Sequence, residues 1–140
     1  TYLLVEQCDK IAIVSESKYN YIIRGESITT ANFSPKKMDL ITSTTEMTNY
    51  IKNKYPDLTR AANRRLMYAY LSTISQLANS KTKYPKEQNE LVQYIKENGN
   101  MILKDKRAKR RDKFGILSLK LGFTSYKIIW KAYLKITKRV

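Results

Sequence analysis

The segment PDLTRAANRRLMYAYLSTISQLANS, residues 56–80, decides the fold class that we predict for this chain. Pro56 suits the first turn of a helix, and Asp57 places a negative charge where the helix dipole favours it. The polar residues spread through residues 66–80, the longest uncharged run, favour a buried amphipathic helix over a membrane span. Residues at the spacing of one helix face predict its buried stripe: Leu58, Ala62, Leu66, Ala69, Thr73 and Leu77.

Helical patterns continue on both sides of this segment. Ser34 followed by Pro35 is typical of a helix start, and the helix predicted there ends before Pro56. Pro85 opens a further helix, within which residues 98–100, Asn-Gly-Asn, indicate a cap or a kink. The chain is therefore predicted to be helical from residue 34 onward.

The last forty residues predict two more helices with amphipathic patterns. Phe114, Leu117 and Leu121 follow helical spacing until Gly122, which we expect to end that helix. On the final helix, one stripe is apolar: Tyr126, Ile129, Trp130, Tyr133 and Ile136. A second stripe on the same helix is basic: Lys127, Lys131, Lys135 and Lys138.

Residues 1–33 follow a different pattern. Residues 2–5 are typical of the end of a helix, whereas residues 11–14 and 18–24 are rich in β-branched and aromatic side chains and predict two short strands. Two short strands and a helix end are too little for an independently stable unit. We therefore expect a mainly α protein, with a helical C-terminal bundle in residues 34–140 and a short β remnant of an α/β domain in residues 1–33.

Positive charge is concentrated near the C-terminus. The chain of 140 residues has a formal net charge of +15. Residues 101–140 contain 13 Lys and Arg against two Asp, so most of this excess lies there. A concentrated basic region predicts a polyanionic partner, such as nucleic acid, anionic lipid or a phosphate-rich substrate.

The composition excludes several kinds of active site. The chain has no His, which removes the Ser-His-Asp triad and the commonest general base and metal ligand. The single Cys8 can form neither an internal disulfide nor a Cys-based zinc site. We therefore expect no catalytic and no metal-binding residue in this chain.

The second predicted strand contains Tyr21 and ends in a polar turn that presents Arg24, Ser27 and Thr29. The planar guanidinium of Arg24 suits a phosphate, and the two hydroxyls can add hydrogen bonds to the same anion. An ion pair at Arg24 and simple termination of the strand explain the same residues. The residue chemistry leaves both interpretations open.

Residues 9–29 resemble the end of the catalytic domain of bacterial family 2 glycosyltransferases, where a helix and a short strand precede a Tyr-x-Tyr-x-x-Arg-x-x-Ser-Ile-Thr motif. The helices beyond residue 33 resemble the variable C-terminal extension of members that build polysaccharides. The resemblance implies a GT-A type α/β domain, of which residues 1–33 are the trailing edge, with Tyr21, Arg24, Ser27 and Thr29 near the diphosphate or the acceptor.

The same resemblance implies a hexosyltransferase that uses a nucleotide-sugar donor, a divalent metal (Mg or Mn) and a glycan or lipid-linked acceptor. The metal motif and the acidic base of such enzymes precede the part of the domain that this chain matches. We therefore expect the chain to be an excised piece that transfers no sugar by itself. The implied location is cytoplasmic and peripheral, at the inner face of the cell membrane.

Several roles for the basic helical region stay open. Lys127, Trp130, Lys131, Lys135 and Lys138 suit contact with an anionic membrane surface, and packing of the apolar stripe onto the other helices is an equal alternative. A nucleic-acid-binding arm in residues 104–113 is a weaker hypothesis, because no known nucleic-acid-binding signature accompanies it. A helical homo-oligomerisation module is a further alternative.

Overall fold

The structure is a computed structural model that describes residues 2–20, 22 and 32–136. It divides the chain into two compact units, Thr1–Ala31 and Asn32–Val140. The described residues form six α-helices: α1 (Tyr2–Glu6), α2 (Asp39–Lys54), α3 (Thr59–Asn79), α4 (Pro85–Lys104), α5 (Arg110–Lys120) and α6 (Phe123–Ile136). Two 3-10 turns, Pro35–Met38 and Pro56–Leu58, lead into α2 and α3. The predicted mainly α fold is confirmed.

The short β remnant expected in residues 1–33 is not present in the part of the first unit that the structure describes. Residues 11–14 and 18–20 have no regular secondary structure, and the side chains of Ile13 and Tyr19 are 93% and 82% exposed. A strand needs a neighbouring strand to satisfy its backbone groups, and β-branched residues alone do not supply one. Tyr21, Arg24, Ser27 and Thr29 lie outside the described residues.

Helix α3 forms the centre of the second unit, where it contacts α2, α4, α5 and α6. The predicted stripe is buried from Ala62 to Leu77, whereas Leu58 lies half-exposed in the preceding turn. A second set of buried side chains lies beside that stripe, because the helix has neighbours on several sides: Met67, Tyr70, Leu71, Ile74 and Ala78. Burial on more than one side explains the uncharged run in residues 66–80.

Helix α4 packs against α3 on one side and α5 on another. It buries Leu91, Ile95 and Ile102, and Tyr94 stacks on Tyr70 of α3 with the ring centroids 3.7 Å apart. The Tyr84 ring before α4 meets the Phe33 ring edge-on at 4.9 Å. These aromatic contacts fasten the start of the unit and the α4 helix to the common core.

Gly99 is a close-contact position between α4 and α5. The helix neither ends nor is capped at residues 98–100 but continues to Lys104. A Cβ atom built on Gly99 would lie 2.6 Å from Cγ2 of Ile116, a distance that Cβ atoms do not adopt. The glycine therefore allows the Ile116 side chain of α5 to pack directly against the backbone of α4.

Helix α5 buries apolar side chains other than those whose helical spacing marked the helix in the sequence. Ile116 and Leu119 are fully buried, while Phe114, Leu117 and Leu121 lie on the exposed side. Both sets have helical spacing, so the spacing does not distinguish them. The contact of Ile116 with Gly99 selects the first set for the core and leaves the second in contact with solvent.

Gly122 ends α5, as its position in the sequence predicted. Its φ of 114° lies in the left-handed region, where a side chain is strained. Its N–H donates to the Leu119 carbonyl at 3.0 Å, and its own carbonyl accepts from Tyr126 N–H at 3.0 Å. Gly122 thus joins α5 and α6 in a tight connection.

Replacement of Gly99 by Ala tests the α4–α5 contact. The added methyl group overpacks the core at a cost of about 1–3 kcal/mol, which a helix-propensity gain of ~1 kcal/mol partly offsets. We expect the free energy of unfolding, measured by urea denaturation, to decrease. In a double-mutant cycle, the loss of stability in Gly99→Ala/Ile116→Ala should be smaller than the sum of the two single losses. The reason is that Ile116→Ala removes the Cγ2 methyl group that the methyl group added at Gly99 would meet.

Gly115→Ala is the matched control. Its Cβ would lie 3.3 Å from Cδ2 of Leu71, the end of a flexible side chain that can move slightly. We therefore expect a smaller loss of stability than for Gly99→Ala. A stabilised Gly99→Ala variant would contradict the close approach of the two helices.

Candidate functional site

Two surfaces of the helical unit have a composition suited to binding. The first is the α5–α6 hairpin, residues 110–136, which includes most of the residues predicted to contact a membrane. Lys131 and Lys135 are exposed, Lys127 and Trp130 are half-buried, and Lys138 lies outside the described residues. Two of the predicted lysines are therefore exposed to solvent.

The aromatic stripe of α6 packs mainly onto the core. Tyr126 is 1% exposed, and its burial raises the pKa of its hydroxyl. Trp130 stacks between Tyr126 and Tyr133, with ring centroids at 5.8 and 5.3 Å, and packs against the buried cluster. Tyr133 also meets Phe114 of α5 at 6.3 Å. Packing thus accounts for the aromatic part of the predicted stripe.

Several large apolar side chains of the hairpin are exposed to solvent. The side chains of Leu121, Ile128 and Ile136 are 72%, 65% and 81% exposed, and Phe114 and Leu117 are also exposed. Exposed lysines on the same two helices include Lys120, Lys131 and Lys135. Exposed apolar side chains beside lysines are typical of an interfacial surface. Across the described residues, no helix combines the length and hydropathy that a membrane span requires.

The second surface is an open groove of about 880 Å³ between the start of α3 and the loop after α4. We call it the large groove and define it by its charged lining residues: Asp57, Arg60, Arg64, Lys104, Asp105, Lys106 and Arg107. Cationic side chains therefore exceed acidic ones in its lining. The charge run in residues 104–113 is visible in the sequence, whereas its proximity to α3 is not.

Asp105 holds the side chain of Arg64 and the backbone of Arg107 in place. Arg64 Nη1 donates to Asp105 Oδ2 at 2.5 Å, and the Arg107 backbone N–H donates to Asp105 Oδ1 at 2.8 Å. The hydrogen bond from Arg64 lowers the pKa of the Asp105 carboxyl, and the bond from Arg107 N–H lowers it further. Asp105 therefore connects α3 to the loop that follows α4.

A smaller groove of about 410 Å³, the small groove, adjoins the large one because Arg64 and Arg107 line both. Tyr68 forms part of it, and two guanidinium groups lie over its ring. The carbon atoms at the centres of the Arg65 and Arg111 guanidinium groups lie 5.3 and 5.7 Å from the centroid of its ring. Cation–π contacts thus extend the arginine-rich surface along α3 toward α5.

The sequence contains one signal for the basic surface of α3. Arg60 and Arg64 are four residues apart, which places them on one side of α3. Their proximity to residues 104–107, about forty positions later, follows only from the packing of α4 against α3. The spacing indicates a basic helix face, whereas the groove requires the tertiary structure.

The described part of the chain contains no group of three or more Cys, Asp or Glu residues placed to hold a metal ion. Comparisons with protein-family models, with curated proteins and with solved structures found no match.

Asp105→Asn tests the role of the carboxylate in holding Arg64. The folded-state pKa of Asp105 is lowered, so its contribution to stability is present above the unfolded-state pKa and disappears as pH falls through the folded-state pKa. We expect the variant to unfold at lower urea concentration than the wild type at pH 7, with the difference vanishing at strongly acidic pH. Asp57→Asn, in the same groove, is the control and should show a smaller difference at pH 7.

Proposed function

We propose that this chain is the C-terminal region of a bacterial family 2 glycosyltransferase and that its α5–α6 hairpin associates the enzyme with an anionic membrane surface. The sequence pattern of residues 9–29 supports the first part of the proposal. The exposed apolar side chains of the hairpin, beside exposed lysines, carry the second part. In this proposal the enzyme is cytoplasmic and peripheral at the inner face of the membrane.

The surface chemistry of the hairpin fits a lipid interface. Leu117, Leu121 and Ile128 can enter the boundary between headgroups and acyl chains, where burial of their apolar surface is favourable. Lysines near an anionic leaflet each add about 1 kcal/mol. Because Tyr126 and Trp130 already pack inward, the membrane contact belongs to the opposite side of α6 and to the exposed side of α5.

The proposal assigns different roles to the catalytic domain and to the helical unit. Sugar transfer needs a base for the acceptor hydroxyl and a cation for the leaving diphosphate. In the proposed enzyme, the preceding GT-A type domain supplies the base, binds the nucleotide-sugar and holds Mg or Mn. The helical unit supports that domain and brings it to a lipid-linked or polysaccharide acceptor.

The glycosyltransferase part of the proposal predicts the sequence encoded before residue 1. We expect an Asp-x-Asp motif and a Glu-Asp pair in the same reading frame, because these residues would supply the metal site and the base. We also expect the isolated chain to release no nucleotide from sugar nucleotides. Sequencing of the complete gene and a nucleotide-release assay check the two expectations. An intact gene product that starts near residue 1, or turnover by the isolated chain, would refute this part.

Neutralisation of two exposed lysines tests the membrane part. We expect Lys131→Gln/Lys135→Gln to weaken binding to vesicles of phosphatidylglycerol and phosphatidylcholine. The loss of about 2 kcal/mol for two lysines corresponds to roughly 30-fold weaker partitioning. Co-sedimentation over a range of lipid concentrations measures this effect.

Lys86→Gln/Lys96→Gln on α4 is the matched control, since it removes the same charge from exposed positions outside the hairpin. The apolar contribution is tested separately by Leu121→Ser/Ile128→Ser, which should weaken binding even where the lysines are retained. Equal losses for both lysine pairs, together with unchanged binding of the serine variant, would contradict docking through the hairpin.

A further inference from the structure

We propose that the large groove is a binding site for a phosphate-bearing anion, with Arg60, Arg64 and Arg107 as its principal ligands. The groove lies on α3 and the loop after α4, whereas the proposed membrane contact lies on α5 and α6. The inference therefore does not depend on membrane association or on glycosyl transfer.

The charges around the groove carry the first argument. Its five cationic side chains come from the start of α3, the end of α4 and the following loop. Only two acidic residues, Asp57 and Asp105, line the same groove. Within the described residues, Arg64 is the only one of the five that forms an ion pair within 4.0 Å. Cations gathered from separate segments repel one another, and a bound anion relieves that repulsion.

Asp105 fixes part of the groove before any ligand binds. Asp105 fixes one end of the Arg64 guanidinium, which still has further N–H donors for a ligand. The Asp105 carboxylate also holds the Arg107 backbone N–H, and the Ala108 N–H donates to the Asp105 carbonyl at 3.2 Å. This turn fixes the backbone at Arg107, whose side chain lines the same groove as Arg64. A site in which one arginine side chain is already positioned loses less conformational entropy when it binds an anion.

Shape and chemistry together define the ligand class. A volume of about 880 Å³ lies in the range of small-molecule sites, and guanidinium groups match phosphate oxygens in a bidentate manner. The five cationic residues of the large groove line one concave surface, whereas Arg65 and Arg111 continue the basic surface beyond it, around Tyr68. These features favour a compact ligand with one or two phosphate groups over a nucleic-acid duplex.

Titration calorimetry of the whole chain with inorganic pyrophosphate tests the site. We expect saturable binding that weakens at least tenfold in Arg60→Gln/Arg107→Gln, whose side chains are exposed. Amide chemical shifts in residues 105–109 should change on addition of pyrophosphate, since the groove is lined there. Circular dichroism confirms that the variant retains its helices.

Lys86→Gln/Lys96→Gln, at exposed positions of α4 outside the groove and the hairpin, is the charge-matched control and should change pyrophosphate affinity less than twofold. Equal weakening in both double variants, or no shift change in residues 105–109, would overturn the site. Binding of a 12-base-pair DNA duplex that excess pyrophosphate does not displace, with the same dependence on Arg60 and Arg107, would also overturn it in favour of a nucleic-acid surface.

Vesicles that contain phosphatidic acid show whether the groove accepts a lipid phosphate headgroup or a soluble phosphate ligand. If pyrophosphate releases the chain from these vesicles, and Arg60→Gln/Arg107→Gln reduces the binding to them, the groove accepts a lipid phosphate headgroup. If binding to the vesicles is independent of Arg60 and Arg107 while pyrophosphate still binds, the groove accepts a soluble phosphate ligand. Both results support the site.

Discussion

The helical unit depends on the burial of α3 among four other helices. Ala69 and Ile74 have no exposed surface, and neighbouring side chains on more than one side of the helix are also buried. The removal of this much apolar surface from water is the main favourable contribution to folding of a small helical domain. Because α2, α4, α5 and α6 all contact α3, their orientations are determined by the same core.

The same packing determines which side chains are left for binding. Ile116 fits against Gly99, so α5 turns its other apolar side, with Leu117 and Leu121, toward solvent. Helix α6 then uses Tyr126 and Trp130 to complete the core. An apolar surface on the hairpin is therefore a consequence of how the core is filled. In the proposed membrane contact, the exposed lysines of α6 would attract anionic lipid to that surface.

The basic groove arises from a different consequence of the α3–α4 contact. The start of α3 and the end of α4 come together, and Asp105 joins them through Arg64. One carboxylate stabilises a region in which positive side chains otherwise repel one another. The proposed anion would reduce the same repulsion from outside the chain. The groove and the hairpin are separate sites, and the ligand proposed for each of them is anionic.

Much of the helical architecture could be predicted from the sequence, because local signals act over a few residues. Pro35, Pro56 and Pro85 mark helix starts through their fixed backbone geometry, Gly122 marks an end, and the spacing from Ala62 to Leu77 identifies a buried face. The positive charge near the C-terminus is likewise a property of composition. The short strands predicted for residues 11–14 and 18–24 are absent from the described residues of those segments, because a strand depends on a partner that a local pattern does not contain.

The tertiary structure decided the features that depend on contacts between distant residues. Helical spacing does not show whether α5 buries Ile116 and Leu119 or Phe114 and Leu117, since both pairs suit a helix face. Ile116 and Leu119 are buried because Ile116 fits against the backbone at Gly99. Likewise, Arg64 and Asp105 are 41 positions apart, and only the packing of α4 on α3 brings them together. The sequence by itself determined where the helices begin, whereas packing against a shared core determined which faces and charges remain at the surface.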